Sequence, residues 1–156
     1  MTPRDALGRR VAVGSPDEVP EISEVALPAA QALTLARTLL AEGRAFAAHE
    51  VFEAVWKACP GEERDRWQGL AQVCVGITHL QRGNTGGAAT LLRRGAGHLR
   101  ADTAPVALPG LTVAAVADRA EALADQVAAG AGFSPAALRI IEPGTGCGSV
   151  SRNPGC

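Results

Sequence analysis

Apolar residues recur every three to four positions from residue 28 to residue 130, a spacing typical of amphipathic α-helices. The first predicted helix runs from Pro28, which a first helical turn tolerates, to Gly43, which suits a helix end. The second is predicted over residues 44–57, because Cys59-Pro60-Gly61 cannot continue a helix. The periodic region therefore opens with two helices joined by a short turn.

Three further helices follow with the same period. The third is predicted over about residues 62–82, and apolar residues around most of its girth indicate a central position. The fourth begins after Asn84, a good capping residue, and its inward stripe contains Gly95, which permits a close approach by a neighbouring helix. The fifth is predicted from the capping residue Thr112 to Gly130.

The segments on either side lack a helical period. Residues 1–27 mix glycine, proline and charge, which predicts an extended N-terminal arm that can still dock on the core. Residues 131–156 predict a short return segment and then a mobile tail, because the last residues can bury little apolar surface. The sequence therefore predicts an all-α fold, a single compact bundle of about five helices over residues 28–130.

Composition narrows the class of protein. With 156 residues and 47% hydrophobic side chains, the chain is long enough for one core and too short for two ordinary domains. The net charge is −1, and 15 basic residues are interspersed with 16 acidic ones, which argues against nucleic-acid binding. Without a membrane-spanning run or a signal peptide, a cytoplasmic protein that does not enter membranes is expected. The four cysteines lack the spacing of zinc or disulfide motifs.

The most apolar stretch of the second helix contains two titratable side chains. About a third of the helix circumference is predicted to carry Phe46, His49, Phe52, Glu53 and Trp56. Burial of the aromatic rings would bring the imidazole and the carboxylate inward, and a buried carboxylate is costly unless it is paired or binds a metal. We therefore expect a polar pocket between the second and third helices, centred on His49 and Glu53.

Metal binding is the first interpretation of this pocket. His49 and Glu53 lie one turn apart, and His79 of the antiparallel third helix can join them as a third ligand. One divalent ion, zinc, manganese or iron, suits imidazole and carboxylate ligands, and a catalytic zinc needs at least three of them. The catalytic candidates are then Glu50 and Glu53. The binding candidates are Trp56, Gln68, Gln72 and Asn84.

Other interpretations stay open at this point. The polar cluster can be a structural hydrogen-bond network that fixes the register of the two helices, in a non-catalytic interaction module. The members of that network would be His49, Glu53, Gln68 and either Arg64 or Arg66. Gln68, Gln72 and His79 can also form a solvated face of the third helix. Residues 82–87 can cradle an anion at a helix start, although a helix stop and a cap explain them without a ligand.

Three motifs occur within the predicted helices. They are His49-Glu50-x-x-Glu53-x-x-Trp56, Trp67-Gln68-Gly69-Leu70 and His79-x-x-Arg82-Gly83-Asn84. Taken together, they resemble domain-of-unknown-function family DUF309, a group of small helical bacterial and archaeal proteins. The resemblance covers about residues 28–101, and Arg4-Asp5-Ala6-Leu7-Gly8 with its Pro-rich arm resembles extended actinobacterial members. The resemblance implies an all-α bundle. Members of the family are sometimes described as predicted metal-dependent hydrolases, but no reaction is given for them.

The resemblance emphasises His49, Glu50, Glu53, Trp56, Gln68, Gly69, His79, Gly83 and Asn84. One position departs, because members often carry an aliphatic or smaller aromatic residue where Trp67 stands, which implies a narrower pocket beside Gln68. Residues and resemblance together predict a protein that binds a small molecule or a metal ion, with hydrolysis as one candidate activity. A homo-oligomer is compatible with the sequence.

Overall fold

Five α-helices form the part of the chain that the computed structural model describes, residues 3–143. The helices are α1 (Ala29–Ala41), α2 (Ala45–Ala58), α3 (Arg64–Gln81), α4 (Thr85–Ala101) and α5 (Val113–Ala128). Short 3-10 helices cover Gly61–Glu63 and Pro135–Arg139. The predicted all-α bundle is confirmed. The predicted mobile tail falls largely on residues 144–156, which lie outside the described residues.

The helices pack in chain order, with α3 between α2 and α4. α1 packs on α2, α5 packs on α4, and the 3-10 helix Pro135–Arg139 returns to α1. The largest fully buried side chains include Trp67, Phe52, Leu33 and Leu92. Burial of each such side chain contributes about 1.5–3 kcal/mol. Each of the first four helices contributes one of these side chains, so the four helices share one core.

Two glycines bring α3 and α4 into backbone contact. A Cβ at Gly69 would lie 2.9 Å from the Gly95 carbonyl oxygen, and a Cβ at Gly95 would lie 2.9 Å from the Gly69 carbonyl oxygen. Each glycine therefore leaves room for the backbone of the other, as predicted for Gly95. Gly69 is the third residue of the Trp67-Gln68-Gly69-Leu70 motif, so that motif has a packing role in this fold.

A buried ion pair fastens the connection between α4 and α5 to α3. Arg66 is 2% exposed; its Nε donates to Asp102 Oδ1 at 2.9 Å and its Nη2 to Asp102 Oδ2 at 3.0 Å. The same guanidinium donates to the carbonyl oxygens of Ala104 and Val106. A buried charge of this kind is tolerated when it is fully paired and hydrogen-bonded. The hypothesis that Arg66 joins a network with His49 is therefore wrong.

Two further arginines hold the return segment, whose Ile140 and Ile141 are buried. Arg37 of α1 donates from Nε to the Ile141 carbonyl at 2.9 Å. Arg119 of α5 donates from Nη1 to the Ile140 carbonyl at 3.0 Å. The segment therefore closes the bundle between its first and last helices.

Thr112 precedes α5 as predicted, but its side chain makes no capping hydrogen bond.

The N-terminal arm folds into a turn around one buried carboxylate. Asp5 is 7% exposed and accepts hydrogen bonds from the backbone N–H groups of Leu7 and Arg9 and from the Arg9 side chain. Burial alone would raise the pKa of Asp5, but the hydrogen bonds and charge of Arg9 outweigh it, and the pKa is lowered. Arg4 pairs with Arg10 and Val19 in isolated antiparallel bridges. The start of the arm therefore folds into a defined turn.

Three contacts dock the arm on the bundle. Gly8, with φ of 77°, lies against the Phe46 ring of α2 so closely that a Cβ there would overlap the ring. Arg82 at the end of α3 donates from Nε to the Leu7 carbonyl at 3.0 Å. Arg44 donates from Nη2 to the Pro20 carbonyl at 2.7 Å.

In the described range 3–143, no helix has both the length and the hydropathy that a bilayer crossing requires.

The glycine contact gives a matched pair of substitutions in α4. Gly95→Ala should destabilise the fold by about 1–3 kcal/mol, because its methyl group would meet the Gly69 carbonyl and Val73. Gly97→Ala, two residues away with nothing within 4 Å of its Cβ position, should instead stabilise the fold by about 0.5–1 kcal/mol through helix propensity. Urea unfolding measures both. Equal stabilisation by the two alanines would show that α3 and α4 do not touch at Gly95.

Candidate functional site

The buried face of α2 differs from the predicted one. The helix buries Ala45, Ala47, Ala48, Val51, Phe52 and Val55. Phe52 lies inward as predicted, whereas His49, Glu53 and Trp56 flank the core and are only partly buried. The predicted rotation of α2 about its axis was wrong, because the prediction placed the aromatic rings at the centre of the buried face. Small side chains on the opposite flank fill the space between α1 and α3, so the polar pair lies at the edge of the core.

His49 and Glu53 are adjacent on this flank. His49 Nδ1 lies 3.2 Å from the Phe46 carbonyl oxygen, which can only accept, so Nδ1 carries the proton. His49 Nε2 faces Glu53 Oε2 at 3.5 Å, and Glu53 Oε1 lies 3.3 Å from the ammonium of Lys57. Burial lowers the pKa of His49, and the charge of Glu53 only partly opposes this. His49 is thus held neutral rather than as an imidazolium.

The other residues of the predicted metal and binding site lie elsewhere. His79 Nδ1 accepts a hydrogen bond of 3.0 Å from Asn84 Nδ2. Asn84 also caps α4, as its Oδ1 accepts from the Gly87 N–H at 3.0 Å. Over residues 3–143, no three His, Cys, Asp or Glu side chains are grouped so that they could hold one metal ion. The structure therefore does not bring His79 to the pair His49 and Glu53.

The predicted hydrogen bonds between polar side chains of α2 and α3 are also missing within the described chain. The indole N–H of Trp56 and the side-chain oxygen of Gln72 are buried without a hydrogen-bond partner there. Gln68 is half-buried on the same stripe of α3 as Gln72 and His79. Arg64 lies over the Trp56 ring, with its Cζ 5.3 Å from the ring centroid. No hydrogen-bond network joins His49 to Gln68 or Gln72 in the described residues.

A cavity of about 360 Å³ lies between the arm and α2. The arm contributes residues 4–6 and 19–24, and the other wall is formed by Arg44 and the outer face of α2. Of the predicted site residues, Glu50 and Glu53 line this cavity. His49 does not. This cavity lies on the arm side of α2, whereas the sequence analysis expects a pocket between α2 and α3.

Glu50 is the carboxylate at the centre of the helical wall. It is half-buried, and within residues 3–143 it forms neither a hydrogen bond nor an ion pair. Burial is the largest cause of a raised pKa at Glu50; the charges of Arg4 and Arg44 oppose the shift, and the like charges of Glu53 and Glu21 add to it. A cavity wall with a carboxylate that lacks a hydrogen-bond or ion-pair partner is a favourable place for a hydrogen-bond donor or a cation.

The cations on the walls are directed to other groups. Arg4 donates to the Gly8 carbonyl and lies over the Phe46 ring, with its Cζ 5.0 Å from the centroid. Lys57 pairs with Glu53. Arg44 uses Nη2 for the Pro20 carbonyl, and its Nε is buried without a described partner. Arg44 therefore keeps donor capacity beside the cavity, and Glu50 keeps acceptor capacity.

Sequence reasoning missed Arg4 and Arg44 as site residues. Arg4 lies in the arm, which has no helical period, and Arg44 is the first residue of the predicted second helix. Both are positioned by hydrogen bonds to backbone carbonyls of the arm. One signal was present, because the resemblance already included Arg4-Asp5-Ala6-Leu7-Gly8. Those residues form the turn that rests on Phe46.

A family model matches the helical part of the chain that forms one wall of the cavity. Residues 33–91 match the model of a family described as "Domain of unknown function (DUF309)". This segment of the chain is similar to the DUF309 family. No curated protein and no solved structure matches the chain. The matched segment runs from α1 into α4 and contains Arg44, Glu50 and Glu53, whereas the arm lies outside it. One wall of the cavity therefore lies within the matched segment and the other lies outside it.

The charge state of Glu50 should be visible in the stability of this protein. Glu50→Gln should raise the free energy of unfolding at pH 7 by at most about 1 kcal/mol, since the carboxylate is half-exposed and screened by solvent. A raised folded-state pKa means that the native site favours the protonated form, so the penalty is absent below the unfolded value and grows as pH rises through the folded one. The gain in Glu50→Gln should therefore vanish near pH 4.

Denaturant unfolding between pH 4 and pH 7 measures this difference. Glu62→Gln, an exposed position outside the cavity, is the control and should show no stabilisation that grows with pH. A loss of stability in Glu50→Gln at pH 7 would mean that the carboxylate has a native partner and that the site is not uncompensated.

Proposed function

We propose that this protein binds a small polar molecule in the cavity between its arm and α2. The observation that carries the proposal is the half-buried Glu50 carboxylate, which lines a cavity of about 360 Å³ without a hydrogen-bond partner in the described chain. A buried or half-buried polar group normally has a partner, and a ligand that donates a hydrogen bond would supply one. The volume lies at the small end of the range for ligand sites, roughly 300–1,000 Å³.

Binding fits the described residues better than hydrolysis does. Hydrolysis by a metal needs three protein ligands and an activated water, and of the predicted ligands the structure brings together only His49 and Glu53. Glu50, with its raised pKa, has the character of a general base, but among the described lining residues the only hydroxyl is that of the exposed Ser23, and the only lysine, Lys57, pairs with Glu53. The cavity is therefore best described as a binding site.

Metal binding is a second candidate, supported by one observation. Because His49 donates from Nδ1 to the Phe46 carbonyl, its Nε2 presents a lone pair beside the Glu53 carboxylate. Metal-binding histidines commonly donate their other N–H to a carbonyl in this way. Zinc or manganese would be held by two side chains one turn apart on α2, with the remaining positions filled by water. Such a site would be weak and would not involve His79.

Amide chemical shifts of the ¹⁵N-labelled full chain test both candidates. The probes are a library of small amines, carboxylates, amides and polyols, together with zinc chloride. Binding in the cavity should shift amides of residues 19–24 and 44–54 in a saturable way, and Glu50→Gln should weaken it by about tenfold or more. Zinc should instead shift amides around residues 46–53, and His49→Ala should abolish that response while His79→Ala leaves it intact.

The outcomes separate the interpretations. If no probe shifts the amides of the two cavity walls, the binding function is rejected, and a non-catalytic interaction module is favoured. If binding persists unchanged in Glu50→Gln, the cavity binds molecules without using the carboxylate on which the proposal rests. Glu62→Gln serves again as the control, because Glu62 lies outside the cavity lining.

A further inference from the structure

The charges on the cavity walls point to a particular class of ligand. We propose that the cavity binds a small zwitterion, an amino acid or ω-amino acid, with its ammonium group on Glu50 and its carboxylate on Arg44. This inference rests on the proposed binding function and adds the chemistry of the ligand. It follows from which wall charges are already paired, from the sign of those that remain, and from the apolar surface between them.

Four of the eight charged residues that line the cavity have partners inside the protein. Asp5 is neutralised by Arg9 at 2.7 Å. Glu53 and Lys57 pair with each other at 3.3 Å. Arg4 is held by the Gly8 carbonyl and the Phe46 ring. These groups have little remaining capacity for a ligand.

Two half-buried charges of opposite sign remain; the other unpaired charges on the walls, Glu21 and Glu24, are exposed to solvent. Glu50 has no ion-pair or hydrogen-bond partner among residues 3–143, and Arg44 bonds only the uncharged Pro20 carbonyl there. Arg44 and Glu50 both line the cavity, but they form no ion pair with each other. Arg44 begins α2 and Glu50 lies six residues further on, which separates the two Cα atoms by roughly 9 Å along the helix axis. A ligand with one charge at each end bridges such a pair.

Ligands with a single kind of charge fit less well. An anion such as phosphate would pair with Arg44 but would approach the carboxylates of Glu50 and Glu53. A diamine would pair with Glu50 and could reach the exposed carboxylates of Glu21 and Glu24, but it would leave Arg44 without a partner. An anion meets like charges in a partly desolvated site, which disfavours binding, and it leaves Glu50 without a partner. A zwitterion pairs with both half-buried charges.

Apolar side chains lie on the same walls. Ile22 and Val19 of the arm and Phe46 and Ala54 of α2 line the cavity. Methylene groups between the two ends of a ligand can pack on such surfaces, and each buried CH₂ contributes about 0.8 kcal/mol. The wall therefore suits a short aliphatic chain with a charge at each end.

Titrations of the ¹⁵N-labelled full chain with a matched series of probes test the inference. Glycine, β-alanine and γ-aminobutyrate vary the distance between the charges. Butyrate and n-butylamine keep the four-carbon chain of γ-aminobutyrate and remove one charge each. At least one zwitterion should bind in the cavity about tenfold or more tightly than either single-charge analogue, because each charged hydrogen bond contributes at least that factor.

Two substitutions should then separate the two ends of the ligand. Glu50→Gln should weaken the zwitterion and n-butylamine by about tenfold or more, and it should not weaken butyrate, from which it removes a like charge. Arg44→Gln should weaken the zwitterion and butyrate while leaving n-butylamine unaffected. Glu62→Gln and Arg94→Gln, at exposed positions outside the cavity, are the matched controls. Since Arg44 also holds the arm through Pro20, Arg44→Lys is included, and it should retain more zwitterion affinity than Arg44→Gln.

Equal affinities for the zwitterions and their single-charge analogues would overturn the inference, as would substitutions that weaken all probes alike in a folded protein. Failure of this inference differs from failure of the proposed function. If amides or polyols shift the cavity amides and zwitterions do not, the ligand class is wrong and the binding function stands. If nothing shifts them, both are rejected.

Discussion

The contact between Gly8 and the Phe46 ring is the constraint on which the candidate site depends. The arm reaches α2 at this point because glycine adopts a positive φ without strain and leaves no side chain between the two surfaces. Arg4 lies over the same ring, and the Leu7 carbonyl accepts from Arg82. The far end of the arm is held by Arg44 through Pro20. Without these contacts, Glu50 would be an ordinary exposed carboxylate on an outer helix face.

The bundle supplies a firm base for that arrangement. α2 packs on α3, and α3 is held against α4 by the close approach of Gly69 and Gly95. Arg66 and Asp102 fasten the next connection to α3, away from the cavity. Sites built on packed helices hold their side chains more precisely than sites built on loops. In this protein one wall is helical and the other is an arm with few apolar contacts, so we expect any adjustment to a ligand to occur in the arm.

Much of the fold could be predicted from the sequence, because the helices follow local rules. Apolar spacing, Gly43 and the Asn84 cap define the helices, and Gly95 correctly indicates a close helix contact. The phase of α2 could not be found in this way. A pattern read on one helix gives large rings the greatest weight, whereas the packed bundle also fills narrow spaces with small residues such as Ala48 and Val51.

The site was less predictable, since its parts are distant in sequence. Glu50 and Glu53, two of the predicted site residues, line a cavity, but this cavity is on another side of α2. Arg66 finds Asp102 36 positions away, and the arm is placed by hydrogen bonds to backbone carbonyls. Carbonyl acceptors occur at every residue, so no sequence pattern identifies those that an arginine will use. Tertiary contacts decide such pairings.

Hydrogen exchange of the arm amides in a pair of glycine variants tests the docking of the arm most directly. Gly8 and Gly14 both have positive φ, 77° and 80°, so alanine is strained at either, but only Gly8 faces Phe46, and nothing lies within 4 Å of a Cβ at Gly14. Gly8→Ala should cost about 1–3 kcal/mol more than Gly14→Ala and should remove protection from the Val19 amide, which donates to the Arg4 carbonyl. Equal costs with an equally protected Val19 amide would contradict the docked arm and the cavity that it forms with α2.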